Sequence, residues 1–395
     1  MSNLAWAFAT IDDGSPELLR TLARKLAADL RGTAHSASGS ASLIDFARQC
    51  IGVIWALNFA GLLDDELLAL AAREVRRIGR TFDTADTLPG AFVLQARCQD
   101  GLDRLDEPFL VHDLHDRLVM EKPPGWQVDQ DEIDTVESGE SPQLSQYLHS
   151  QVPRRRWPLV YDVEQRSGIL HRLDVPSSGL IVAAKTCEAY YDLMLQLNAG
   201  RLVRDYVVLC HGWAPPARTH VSARIYWPEG SRLPSRVLPQ GKPALTLLKV
   251  LAHASSGSDA FSFVGLRIGT GRRHQIRTHT SFIGHSSVCD GKYTSMATLA
   301  SDMRHCPRHF LHRYRLVFRD GVGAPCEVTA VLAPDLAGAL ARLHPRGGRS
   351  GASAADLRLW ASPEFCGRLP GWECCSALRG ATRNAGPCYR SVAVL

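Results

Sequence analysis

Apolar residues recur at intervals of three and four over Arg20–Leu30 (RTLARKLAADL) and Glu66–Ile78 (ELLALAAREVRRI), the spacing of amphipathic helices. Between them, Gly32–Ser42 is a run of small residues and reads as a loop. Residues 1–85 as a whole are rich in Ala, Leu and Arg and are expected to be helical. From about Val111 the pattern changes to short β-type runs alternating with helical stretches. Leu118–Met120 leads into a turn at Lys122-Pro123-Pro124-Gly125. Leu180–Ala184, Tyr206–Cys210, Ala244–Ala252, Phe261–Ile268, Phe310–Phe318 and Cys326–Leu332 read as strands. Cys187–Leu197 reads as a helix, and so does Arg273–Ile283, directly after Gly269-Thr270-Gly271. The expectation is an α+β domain over 111–335, joined through a mixed linker (86–110) to the helical region. The tail, 336–395, opens with a helix (Leu336–Leu343) and then turns Gly/Ser/Arg-rich, which reads as mostly disordered. Its Cys366, Cys374, Cys375 and Cys388 match no tetrahedral zinc spacing.

The helical region repeats itself. Leu4-Ala5-Trp6-Ala7-Phe8 matches Val53-Ile54-Trp55-Ala56-Leu57, and Glu17-Leu18-Leu19 matches Glu66-Leu67-Leu68 at the same offset of 49. A period of this size points to stacked helix pairs. The words resemble the WAFAT-type helical repeats of organellar RNA-binding proteins in algae and related protists. Two copies are fewer than the roughly three that usually make a stable array, so a truncated array is expected. Two amphipathic hairpins packed on the rest of the chain would give the same pattern.

Composition narrows the class without naming it. The chain has 395 residues, of which 45% are hydrophobic and 22% charged, ordinary for a folded soluble protein and unlike disordered or fibrous chains. The formal charge of +5 permits an anionic partner without demanding one. The 11 cysteines are scattered and odd in number, which argues against a disulfide framework and for a reducing, intracellular compartment. The longest apolar stretch, Ile51–Leu63, contains Asn58 and ends at Asp64-Asp65. It is shorter than a membrane span requires, so no membrane association is expected. The first residues, MSNLAWAFAT, have the pattern of neither a signal nor a transit peptide.

Two segments carry chemistry. In Gly168-Ile169-Leu170-His171-Arg172-Leu173-Asp174-Val175-Pro176-Ser177-Ser178-Gly179 a polar turn precedes a strand. Asp174 is then either a reactive carboxylate held ionised by a nearby cation or a turn residue capping backbone N–H groups. In Thr270-Gly271-Arg272-Arg273-His274-Gln275-Ile276-Arg277-Thr278-His279 a glycine turn feeds a helix, with free N–H groups and three arginines. If the segment is helical from Arg273, then Arg273 and Arg277 share a face at i, i+4. A solvated basic face is the alternative.

Taken together, HRLD-x-x-Ser-Ser-Gly and GR-x-HQIR-x-His resemble the RluA-type pseudouridine synthases. Three further marks stand in that family's order: Lys122-Pro123-Pro124-Gly125, Arg204-Asp205-Tyr206, and Phe310-Leu311-His312 with Leu316 and Phe318. The resemblance covers about 111–335. It implies a mixed, largely antiparallel sheet with flanking helices and an enzyme that isomerises uridine to pseudouridine in RNA, with no cofactor and no metal. It also implies site roles. Asp174 is the essential aspartate, Arg277 its cationic partner, and Tyr206 the ring that stacks on uracil and assists proton transfer from C5. Arg172 fills the gap left by the flipped nucleotide and Leu316 packs against the base. Arg272, Arg273 and His274 contact RNA. RNA, whether ribosomal, transfer or messenger, is the expected partner. The protein is expected to be a monomer without an obligate protein partner, in cytosol, mitochondrion or plastid.

The chain departs from the family pattern at several places. Val175-Pro176 follows HRLD where a charged or polar pair is usual, Arg273 replaces Thr, and Thr278 replaces an aliphatic residue. Ser286-Ser287 replaces a Pro-containing step, Cys289-Asp290 replaces Gly-Asp, and Arg313 replaces a small residue. Other features are weaker. His112-Asp113-Leu114-His115-Asp116, and His305 with Cys306, His309 and His312, would suit a metal-dependent hydrolase, but neither has a standard ligand spacing. Arg154-Arg155-Arg156 before Trp157 fits a phosphate-contacting loop or a solvated basic run. An inactive helical-repeat RNA-binding or assembly protein is the rival reading.

Overall fold

The computed structural model describes residues 2–10, 16–32, 40–83, 106–128, 141–228, 230–348 and 350–365. The described residues divide into two compact units, one up to Ala71 and one from Ala72 onward. Most of the 86–110 linker and the four tail cysteines lie outside the described residues.

The first unit holds α1 (Ser2–Thr10), α2 (Pro16–Arg31), α3 (Ser40–Phe59) and the start of α4 (Asp65–Phe82). Pro16 opens α2 where a missing N–H costs nothing. Asp64 caps α4 by accepting the Leu67 N–H at 2.7 Å. In α2 the buried residues are Leu19, Leu22, Leu26 and Leu30, one stripe at three-four spacing facing the core. The matched words all fall in helices, Leu4–Phe8 in α1 and Val53–Leu57 in α3, Glu17–Leu19 in α2 and Glu66–Leu68 in α4. Of the expected small-residue loop, Ser40–Ser42 is already helical. By length and composition α3 could cross a membrane. Its Cys50, Val53, Ile54, Ala56 and Leu57 are buried at 0–1% exposure, and it packs on α1 and α2 as the core helix of this unit.

The second unit begins with the rest of α4 and continues through β1 (Phe109–Asp113), β2 (Arg117–Lys122), α5 (Leu144–Gln151), β3 (Ser178–Ala184), α6 (Cys187–Asn198) and β4 (Val203–His211). Then come β5 (His220–Ser222), β6 (Ile225–Tyr226), β7 (Arg236–Val237), β8 (Leu245–Ser256), β9 (Asp259–Ile268), α7 (Gln275–Phe282) and α8 (Met296–Asp302). β10 (Leu311–Arg319), β11 (Pro325–Thr329), α9 (Pro334–Ala341), β12 (His344–Pro345) and α10 (Ala352–Ala361) complete it. The main sheet runs β1-β2-β3-β10-β4-β9-β8-β12, with β11 on β10 and β5 on β8, while β6 and β7 pair separately. β3 and β10 are parallel, and the other pairs are antiparallel. The expected α+β class, a mixed and largely antiparallel sheet with flanking helices, is what the chain adopts.

Strand alternation sorts the core into two layers. Leu118 and Met120 of β2, Ile181 and Ala183 of β3, and Tyr206 and Val208 of β4 share one cluster with Leu173 and Ile276. Val119, Leu180 and Val182 point into another, with Ala189 and Leu193 of α6 and with Leu316 and Phe318 of β10. β3 is buried along its whole length, so it reads as a continuous apolar run rather than an alternating one. α4 is tied to α6 at its far end. Asp83 accepts the Cys187 and Glu188 N–H groups at 2.7 and 3.0 Å, and Arg76 pairs with Asp192 at 2.8 Å.

The parallel β3–β10 crossing passes over Gly179, and there glycine is required. A Cβ at Gly179 would sit 2.2 Å from the Arg313 carbonyl oxygen, and its φ is +122°. Gly179→Ala combines a backbone overlap with strain in a region side chains avoid. The expected loss is on the order of 2–4 kcal/mol in urea unfolding, and an unchanged midpoint would contradict the crossing.

The tail differs from its expectation. Residues 352–361 form α10, because Leu357 and Trp360 supply an apolar face within the polar run. Trp360 meets Phe263 and Tyr314 edge-on at 5.5 and 4.9 Å. A single large aromatic ring buries enough area to order a short helix that composition alone marks as polar.

Candidate active site

Asp174 lies at the turn between an extended approach (Ile169–Leu173) and β3. The Ser177 N–H bonds back to the Asp174 carbonyl at 3.0 Å, closing that turn. The Lys122 motif holds it from below. Lys122 is fully buried, and its ammonium donates to the carbonyls of Pro123, Trp126 and Val175 at 2.9, 2.8 and 3.2 Å. A buried ammonium needs such partners, and Val175 is the residue after Asp174. Gly125 N–H also donates to the Val175 carbonyl at 2.8 Å. The Lys-Pro-Pro-Gly turn is thus an anchor for the aspartate loop.

α7 brings the cation. Its start is built by Gln275, whose side-chain oxygen accepts from Thr270 Oγ1 at 2.7 Å and from the Arg272 N–H at 3.0 Å. The helix begins at Gln275, two residues later than expected, because His274 takes the left-handed conformation (φ 51°) at the N-cap. Arg273 therefore does not share a helical face with Arg277. It stacks over Trp227 at 4.6 Å and donates to the Leu233 carbonyl. Arg272 donates to the Pro243 carbonyl at 3.0 Å.

Arg277 is buried and bridges two carboxylates. Nε and one terminal nitrogen hold Asp290 at 2.9 and 2.7 Å, and the other holds Asp174 Oδ2 at 2.9 Å. Burial pushes the Asp174 carboxyl up, but the charges of His274, Arg277 and Arg172 and the Arg277 hydrogen bond outweigh it. The carboxyl is held well below the usual carboxylate range. Asp174 is ionised at neutral pH, its side chain is 15% exposed, and among the described residues nothing donates to Oδ1. An ionised oxygen with one face engaged and another open can act as nucleophile or base.

Asp290 is a site residue that the sequence reading passed over. Its side chain has no exposure. Burial raises its pKa, yet the Arg277 hydrogen bond, His309 and Arg277 charge bring it to about 2. Ser287 Oγ and the Lys292 N–H also donate to it, each at 3.1 Å. The signal was present in Cys289-Asp290-Gly291-Lys292-Tyr293. Cys289 has φ 58°, the region glycine favours, which is the physical reason a Gly-Asp step suits this turn. Tyr293 lies under the Arg277 guanidinium at 5.3 Å and its hydroxyl contacts His274 Nδ1 at 3.1 Å.

Tyr206 is 3% exposed on β4, in the same cluster as Leu173 and Ile276. The Arg313 guanidinium stacks over its ring at 4.8 Å and donates to its hydroxyl at 2.5 Å. Arg172 adds positive charge beside Asp174. Leu316 is not brought to this group. It is fully buried in the other layer, with Leu180, Val182 and Phe318, because β10 carries it beyond the bulge at Arg313–Arg315.

The His/Asp clusters are engaged elsewhere. Asp113 pairs with Lys185 at 2.8 Å and Asp116 with Arg117 at 2.7 Å. His309 bonds Ser287, and His312 bonds Ser178. Among the described residues no three His, Cys, Asp or Glu groups are arranged to hold a metal. Burial drives His279 and His309 down to about 4 and His312 to about 3, from 6.5. These folded values lie below the unfolded one, so the unfolded chain binds more protons as pH falls. Stability is then full above about pH 6.5 and declines towards pH 4. The expected loss between pH 8 and pH 5 is on the order of 1–2 kcal/mol per histidine in urea unfolding. Equal stability at the two pH values would contradict neutral burial.

The comparisons bear on the same stretch of chain. A "Ribosomal large subunit pseudouridine synthase D" of Vibrio vulnificus is 32% identical over 184 residues, 43% of this chain and 54% of that one. An "Uncharacterized RNA pseudouridine synthase" of Chloroflexus aurantiacus is 34% identical over 193 residues, 48% of this chain and 58% of that one. The chain thus spans little more than half the length of these curated relatives. Among solved structures, Human RNA Pseudouridylate Synthase Domain Containing 1 aligns with a TM-score of 0.46 and 26% identity, over 61% of this chain and 90% of that one. Residues 116–282, which carry Lys122, Asp174, Tyr206 and Arg277, match the family model described as RNA pseudouridylate synthase.

Proposed function

We propose that this chain is an RNA pseudouridine synthase. The observation that carries the reading is the ionised, partly exposed Asp174 held by buried Arg277, within a segment similar to that family. The reaction breaks the N1–C1′ bond of a uridine and joins C1′ to C5, while the C5 proton is lost and N1 gains one. Nothing leaves and no electrons are exchanged, so the chemistry calls for no cofactor. Asp174 attacks C1′ or takes a sugar proton while the base stays in the pocket. Glycosidases add a second carboxylate to assist a departing group, and here no group departs. Tyr206 stacks on the uracil and assists the C5 proton. Arg172 occupies the space of the flipped nucleotide, since the target atoms are unreachable within a stack. Arg272, Arg273 and His274 contact RNA.

The relatives' names make large-subunit ribosomal RNA the first substrate to test. The catalytic domain is taken as 111–335, with a helical repeat remnant before it (1–85), a linker at 86–110, and a C-terminal helix and tail (336–395); the protein acts as a monomer. Pseudouridine mapping on total RNA incubated with purified wild type or Asp174→Asn tests the reading. Sites made only by wild type support it and name the RNA. No new sites on any RNA would overturn it.

A further inference from the structure

Arg313 is an unusual residue to find where it lies. It is 1% exposed and stands in β10 directly opposite Tyr206 of β4. Among the described residues it has no carboxylate in contact. One terminal nitrogen donates to His171 Nδ1 at 2.7 Å and to the Leu180 carbonyl at 2.9 Å. The other donates to the Arg172 carbonyl at 2.9 Å and to the Tyr206 hydroxyl at 2.5 Å. Nε has no partner. A guanidinium only donates, so His171 accepts at Nδ1. Burial and the nearby Arg313 and Arg204 charges hold His171 neutral.

A buried cation facing four neutral acceptors is costly for stability alone. Its contacts join two things that the chemistry needs in register, the hydroxyl of Tyr206 and the His171–Arg172 backbone that delivers Asp174. The sequence pattern has a small residue at this position, which could make none of these bonds. We infer that Arg313 is a positioning residue: it clamps the Tyr206 ring to the segment that leads into the Asp174 turn, so that base and carboxylate meet in a fixed geometry. This rests on the synthase reading. Accepting from Arg313 uses a lone pair of the Tyr206 oxygen and leaves its O–H hydrogen for a group on the bound base. The clamp acts on the chemical step, because Arg313 is 1% exposed and its guanidinium lies against the Tyr206 ring.

The test is a double-mutant cycle of Arg313→Ala and Tyr206→Phe, read as single-turnover pseudouridine formation at saturating RNA, with RNA affinity measured separately. Arg313→Ala is expected to slow the step by on the order of 10- to 100-fold, the size of a lost charge-assisted hydrogen bond. RNA affinity should be unchanged. In the Tyr206→Phe background the further loss should shrink to a few-fold, since the clamp has nothing to hold. Arg313→Lys keeps the charge and one donor direction, should recover part of the rate, and serves if the alanine variant folds poorly. An unchanged rate in a folded Arg313 variant, or equal losses in both backgrounds, overturns the clamp while leaving the synthase reading intact. A wild type that modifies no RNA overturns the synthase reading, and the clamp falls with it.

Discussion

Asp174→Asn is expected to reduce pseudouridine formation by roughly 10³-fold or more, with RNA binding retained. The amide has nearly the shape of the carboxylate. Its oxygen can still accept from Arg277, which keeps its two bonds to Asp290. The side chain lies at the edge of the buried layer, 15% exposed, so losing one charge there leaves no orphan in the core. What is lost is the ionised oxygen that positive surroundings keep deprotonated. An amide can neither attack C1′ nor take a proton at neutral pH. Single-turnover conversion and a filter-binding titration on the same RNA separate the two effects. Wild-type conversion by the Asn variant would remove Asp174 from the mechanism. A parallel loss of binding would make its role structural.

Arg277→Ala is expected to be worse for the fold. It strips the cation from Asp290, which has no exposure, and from Asp174 as well. Breaking a buried pair by removing one partner costs about 3–5 kcal/mol, which for a unit of this size lowers the melting temperature by roughly 10 °C. Activity should fall with it, because Asp174 loses both its hydrogen bond and much of the field that keeps it charged. The two effects can be parted. Adding Asp290→Asn to Arg277→Ala removes the orphan charge and should restore part of the stability, while conversion stays lost. If Arg277→Ala melts with wild type and converts RNA at the wild-type rate, the bridge between the two carboxylates has no consequence and the assignment is wrong.

The helices and strands that were legible in the sequence are those whose apolar spacing is strong and local. α2, α6 and β3, β4, β8, β9 and β10 lie within a few residues of where periodicity puts them. The Asp174 and Arg277 segments were legible through their resemblance to a family pattern, which is carried by several polar residue types at fixed short-range spacing beside a turn. β5, β6, β7 and β12 are two or three residues long, too short for any period to register. α10 was hidden because its order comes from Trp360 meeting rings on β9 and β10, contacts about a hundred and about fifty residues away.

The site divides along the same line. Residue type and spacing left Asp174 and Arg277 open to bland readings, and it was the resemblance of the two segments to a family pattern that implied a carboxylate and a cation 103 residues apart would meet. That Arg277 serves two carboxylates, that Arg273 turns away through the left-handed His274, and that Leu316 lies in the other layer all depend on how α7 and β10 cross the sheet. So does the contact of Arg313 with Tyr206, which exists because β10 inserts between β3 and β4, one parallel and one antiparallel. A side chain's chemistry is a property of its own atoms and its near neighbours in sequence. The charge beside it, the water kept from it and the face it presents are set by strands that arrive from far along the chain, and those long-range pairings leave no local mark in the amino-acid order.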